Sequence, residues 1–134
     1  MIFIPLVILI LNEIIKISIH SLKNNKFQIR LFFHPGGMPS GHTAFASSVA
    51  TLAYYMEGLQ SIEFLIAFSL AIIVMYDARG LRATVEKHAK VINKMSNKIK
   101  LDESVGHTNF QVIIGALFGS ISTFILIKII ETNF

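Results

Sequence analysis

The sequence predicts an all-α fold: an integral membrane bundle of about four transmembrane helices, with one further basic amphipathic helix on the cytoplasmic side. Three observations lead there. Of the 134 residues, 53% are hydrophobic and only 15% are charged, against ~25% charged in ordinary soluble domains. The apolar residues come in long runs separated by polar connections. Lys and Arg gather in two of those connections, which gives the formal net charge of +4 a meaning for topology. The length suits one core and is short for two, so residues 1–134 are read as a single domain. With no cysteine in the chain, thiol catalysis, disulfides and a Cys-ligated zinc are excluded.

The first span is expected over residues 2–19, in "MIFIPLVILILNEIIKISIH". It lacks a basic leading region and a small-residue cleavage site, so it reads as a retained anchor. At ~1.5 Å per residue its length is close to the ~30 Å hydrocarbon core. A polar connection, 20–40, carries Lys23, Lys26 and Arg30. The second span, 41–58, is rich in Ala, Ser and Thr. Small residues let helices approach closely in lipid, which makes this the expected central helix, surrounded by protein. The third span is 62–76 and the fourth 110–130, the latter with a Gly115/Gly119 close-packing signal.

Between the third and fourth spans, residues 78–107 carry Arg79, Arg82, Lys87, Lys90, Lys94, Lys98 and Lys100. With four spans both basic connections fall on one side. The positive-inside tendency makes that side cytoplasmic and leaves both termini outside. Within this connection "TVEKHAKVINKMSNKIKL" sets Val85, Ile92, Met95 and Ile99 near one stripe, with Lys87, Lys90, Lys94 and Lys98 off it. That pattern fits a helix lying on anionic headgroups, or equally a solvated helix packed on the bundle.

Polar chemistry collects at two helix starts. In "HPGGMPSGHTAF", Pro39 ends what precedes it, Ser40 is a good N-cap, and Gly41–His42 opens the helix. A helix N-terminus offers unpaired N–H groups and positive potential to an anion such as phosphate, and Gly36 and Gly37 allow close backbone approach. Taken alone, a capped helix with an interfacial histidine explains the stretch as well. In "ESVGHTNFQVIIGALFG" a second Gly–His–Thr opens an apolar helix, with Gln111 one turn after His107 and placed to fix its ring. Two such histidines can supply a nucleophile and an acid for phosphate-ester hydrolysis.

"YDARGLR" ends the third span with Asp77, Arg79 and Arg82. Asp77 can pair with Arg82 or Lys16, and guanidinium suits bidentate phosphate binding. Lys16 either snorkels, pairs with Glu13, or serves the site. His20, His34 and His88 are read as interfacial or solvent-facing. No metal or other cofactor is called for by this set, and nothing in it points to nucleic acid.

These stretches resemble the divergent branch of the type 2 phosphatidic acid phosphatase superfamily, which also includes vanadium-dependent haloperoxidases. "IIKI", "GGMPSGHTA", "YDARGLR", "KVINKM" and "GHTNFQVIIGALFG" look like that branch's signatures, in the same order over nearly the whole chain. The resemblance implies an all-helical bundle and a phospho-histidine mechanism. It implies His107 as nucleophile, His42 as general acid, and Ser40 and Gly41 holding phosphate. The superfamily's first motif, K-x6-R-P, is matched by Lys23 and Arg30, but Leu31 stands where its proline would be; the branch's lysine is that of "IIKI", Lys16. The expected Ser-Arg before the second histidine falls on Lys100 and Leu101, which leaves Arg82 or Arg79 as substitutes. The aspartate that would orient the nucleophile is Gln111 here.

The expected function is a membrane-embedded phosphatase-like hydrolase of a lipid phosphate or pyrophosphate, with anionic lipid as its partner. The alternative is a non-catalytic membrane protein keeping the fold and an anion- or lipid-binding site. A small transporter has less support, since only Asn12 and Glu13 put polar groups near mid-span. Four spans are fewer than the six usual in membrane members of the superfamily, so a homo-oligomer is also an expectation.

Overall fold

In the computed structural model, residues 1–24, 37–96, 98 and 100–133 are described. They form five helices: α1 (Ile4–Asn24), α2 (Gly41–Glu57), α3 (Ile62–Arg79), α4 (Leu81–Met95) and α5 (Asn109–Asn133). Among the described residues there is no strand.

The bundle is built inside out relative to a soluble protein. The outer faces of α1, α3 and α5 display large aliphatic side chains such as Leu6, Ile66, Ile73 and Ile125. The interior is made of small and hydroxylated residues, as expected where lipid is the solvent and close backbone approach holds helices together. α2 is the central element and packs on α1, α3 and α5. Its face toward α3 meets Ala67 and Ala71 through Ala46 and Ala50. On α5 the two glycines fit against α2 backbone: a Cβ at Gly115 would lie 2.7 Å from the Ser40 carbonyl oxygen, and one at Gly119 would overlap the Ala44 carbonyl. One turn further on, the Ser48 and Thr123 hydroxyls bond at 2.6 Å. A cluster of Ile4, Ile8, Leu52 and Ile127 closes the other end.

Contacts fix the direction of each helix. α2 and α5 run parallel, from the Ser40 N–Gln111 O contact at one end to the Tyr55–Glu131 hydrogen bond at the other. α1 and α3 run the opposite way, with Asn12 reaching Pro39 and Ala78 reaching His107. The start of α2, the end of α3 and the start of α5 therefore share one end of the bundle, reached by the second half of α1.

Among the described residues, three stretches are long and apolar enough by length and composition alone to cross a membrane: Ile4–Leu22, Ile62–Met95 and Asn109–Asn133. α2 has 17 residues, ~25 Å at the rise of a helix, and its small-residue composition suits the enclosed position that it takes. The third helix continues past Tyr76 to Arg79. The amphipathic helix begins at Leu81 and ends at Met95, so the 84–101 segment is only partly helical. Backbone hydrogen bonding carries through Gly80, which donates to Tyr76 O at 2.8 Å and accepts from Thr84 N at 3.0 Å. Ser96 is extended (φ −134°, ψ 119°) and ends α4. Ile99 lies outside the described residues.

Candidate functional site

The end of the bundle that gathers the two Gly–His–Thr stretches is assembled from four helices. Gly37 has φ +96°, a conformation open to glycine, and it lies on the Lys16 stem, where a Cβ would come within 2.9 Å of Lys16 Cδ. The following Met38–Pro39 peptide is cis. Pro39 O accepts from Asn12 Nδ2 at 3.2 Å. Ser40 is fully buried and extended at the N-cap position of α2, but its side chain does not cap. Its hydroxyl pairs with Thr43 Oγ1 at 3.0 Å, which corrects the capping expectation. Gly41 stands against the Glu13 carboxylate, and Glu13 forms an ion pair with Lys16.

His42, exposed in the first turn of α2, has Nδ1 at 3.5 Å from an Arg82 guanidinium nitrogen. Arg82 Nε in turn donates to Asp77 Oδ2 at 2.7 Å. Of the two partners open to Asp77, Arg82 is the one it takes. The charges of Arg82, Glu13, Lys16 and Asp77 all act on the His42 ring.

His107 sits just before α5 and is held by its neighbours on both sides. Its N–H donates to Ala78 O at 3.2 Å. The preceding loop is fastened to α4: Asn93 bonds both Leu101 N (2.8 Å) and Leu101 O (2.9 Å), and Gly106 N donates to Glu86 Oε2 at 3.0 Å. Gly106 is needed there because a Cβ would lie 2.7 Å from Ala83 Cα. The His107 side chain is 7% exposed, and its Nδ1 is buried without a hydrogen-bond partner among the described residues. Burial holds its pKa below the ordinary 6.5, helped by the nearby charges of Arg82, His42 and Lys16, with Glu86 opposing.

Gln111 does not orient that ring. Its Oε1 accepts from Thr108 N at 2.9 Å, and its own N–H donates to Thr108 Oγ1 at 3.3 Å. This is a reciprocal T-x-x-Q capping box at the start of α5, written in the sequence as "TNFQ", residues 108–111. Arg79 is exposed and turned elsewhere, lining an open groove of about 390 Å³ between α3 and α5 with Ile72, Tyr76 and Asn109. Lys16, Ser40, Gly41, His42, Asp77, Arg82 and His107 are brought to one end; Gln111 and Arg79 are nearby without joining them. Arg30, His34, Gly36 and the Lys23 side chain lie outside the described residues. Asn12, Glu86 and Asn93 support the site; Asn12 stood out in the sequence only as a polar residue near mid-span, and Glu86 and Asn93, in a polar segment, carried no signal for it.

A sequence model of the family described as "Divergent PAP2 family" matches residues 1–122. The chain is 30% identical over 138 residues to the uncharacterized membrane protein YuiD of Bacillus subtilis (strain 168), covering 88% of this chain and 87% of that protein. No solved structure matches the chain.

Proposed function

The chain belongs to the divergent PAP2 family, and from that premise we propose that it hydrolyses a lipid phosphate or pyrophosphate through a phospho-histidine intermediate at the cytoplasmic leaflet. The observation that carries this reading is a buried imidazole without a partner at Nδ1 among the described residues, His107, under the combined field of Arg82, His42 and Lys16. His107 attacks phosphorus, and the bond from phosphorus to the leaving oxygen breaks. His42, exposed beside Arg82, protonates that oxygen. Water then attacks the phospho-histidine, giving its proton to His42 and releasing phosphate. Lys16, Arg82 and the first-turn N–H groups of α2 offset charge on the transferring group, with Ser40 and Gly41 forming the floor.

The test is phosphate release from lipid phosphates by protein purified in detergent. His107→Ala is expected to lower the rate by on the order of 10³-fold or more. Equal release by variant and parent sinks the proposal. A second reading, a non-catalytic membrane protein that binds anionic lipid at the same site, is favoured by one observation: the Gln111 amide is spent on helix capping. Vanadate protection against heat that disappears in His42→Ala, without phosphate release by the parent, supports this second reading.

A further inference from the structure

The site contains a carboxylate that the proposed reaction does not use. Glu13 is 8% exposed. One of its oxygens pairs with Lys16 Nζ, and the other lies where a Cβ on Gly41 would come within 2.7 Å of it. The two groups that Glu13 touches are the two that an incoming phosphate would seek, an ammonium and the start of α2. The Ser40 side chain does not cap that helix start, since its hydroxyl is committed to Thr43. A second, independent feature lies at this end: the His107 side chain is more than nine-tenths buried and its Nδ1 has no hydrogen-bond partner among the described residues, which leaves it available to a ligand. Arg82 is prepaired in the same way, with Asp77.

We propose that Glu13 is the resident counter-anion of this site: it holds Lys16 and the start of α2 until a phosphate oxyanion displaces it, and so sets the affinity for that anion. The inference rests on the phosphate-site reading above. A buried ammonium is stabilised by opposite charge close to it, so the Glu13 carboxylate contributes to holding the ligand-free bundle together. The same carboxylate repels a phosphate arriving at the same cation. Glu13 therefore sets the affinity of the site for anions, and its removal tightens anion binding.

The experiment titrates orthovanadate and inorganic phosphate into the full chain in detergent micelles, with binding read by calorimetry and by thermal shift. Glu13→Gln is expected to bind vanadate about tenfold more tightly than the parent, the size expected when one nearby charge is removed at a partly screened site. In a Lys16→Met background the same substitution is expected to give a smaller gain, because only the part exerted at the start of α2 remains, a non-additivity that a merely structural role would not produce. If Glu13→Gln does not fold, Glu13→Asp decides: its shorter side chain withdraws the charge, so tighter binding sustains the proposal and unchanged or weaker binding overturns it. Vanadate binding to the parent that is equal or weaker in Glu13→Gln removes the role of Glu13 and leaves the phosphate-site reading standing. Vanadate binding by none of the variants overturns both.

Discussion

At the scale of single residues, the two histidines differ in a way their identical Gly–His–Thr settings do not suggest. His42 is exposed, while His107 is 7% exposed with an Nδ1 unpartnered among the described residues. Burial comes first among the causes that lower the His107 pKa, with Arg82 next. Its titration in the folded protein is therefore expected below 6.5, checked by NMR of isotope-labelled histidine in micelles. Arg82→Met removes one lowering cause and is expected to move the titration upward. The sign for stability follows from the direction: a depressed folded pKa contributes stability above the unfolded value of about 6.5 and loses it as pH falls through the folded value. If the protein turns over, the acid limb of kcat/KM shifts with the same titration. The types of the site residues were legible in the sequence, because glycine, proline and serine before a histidine form a recognisable helix start. Their partners were not. Gln111 one turn from His107 fitted a ring-orienting role, but an amide at that position of a helix start can serve the backbone instead, and Thr108 offers a closer donor and acceptor.

Elements were legible to different degrees for physical reasons. Long apolar runs announce α1, α3 and α5, and the Ala, Ser and Thr content of α2 announces its enclosed place, because close packing in lipid selects small residues. Ends were harder to place. Asp77 and Arg79 resemble the polar margin of a span, yet helical hydrogen bonding continues through Gly80, since one glycine weakens a helix without ending it. The Gly115/Gly119 pair can be tested directly. Both positions face α2 backbone, which cannot turn aside as a side chain can. Gly119→Leu is expected to destabilise the bundle by about 1–3 kcal/mol or more through overpacking, read as a lower Tm in detergent. Ile121→Ala on the lipid-facing side, 55% exposed, serves as the control and is expected to change Tm little. Gly115→Ala presses on Ser40, so it is expected to weaken vanadate protection as well as stability. A Gly119→Leu bundle as stable as the parent would remove the α2–α5 seam as the source of cohesion.

At the scale of the whole molecule, α4 has no helical partner on its apolar side among the described residues. Leu81, Val85, Ile92 and Met95 are exposed, while Ala89 is buried and the loop leading to His107 is fastened along a neighbouring face by Glu86 and Asn93. Arg82 sits in its first turn. One surface helix thus carries Arg82, a cation of the candidate site, and fastens the loop that leads to the buried histidine, so whatever steadies α4 steadies that arrangement. An apolar stripe with lysines on the opposite face suits an anionic membrane surface. Lys90 is committed to Glu86 at 2.5 Å, which leaves Lys87 and Lys94 as the contacts that matter most. At about 1 kcal/mol per lysine near an anionic leaflet, two lysines correspond to roughly thirtyfold. The measurement is hydrogen exchange in nanodiscs with and without anionic lipid. Amides of α4 and of the loop before His107 are expected to exchange up to about thirtyfold more slowly in the anionic discs, with α5 unchanged. The double substitution Lys87→Gln and Lys94→Gln is expected to abolish the difference. If α4 exchanges equally in both discs, it is a solvated helix, and the site is held by the bundle and its loop alone.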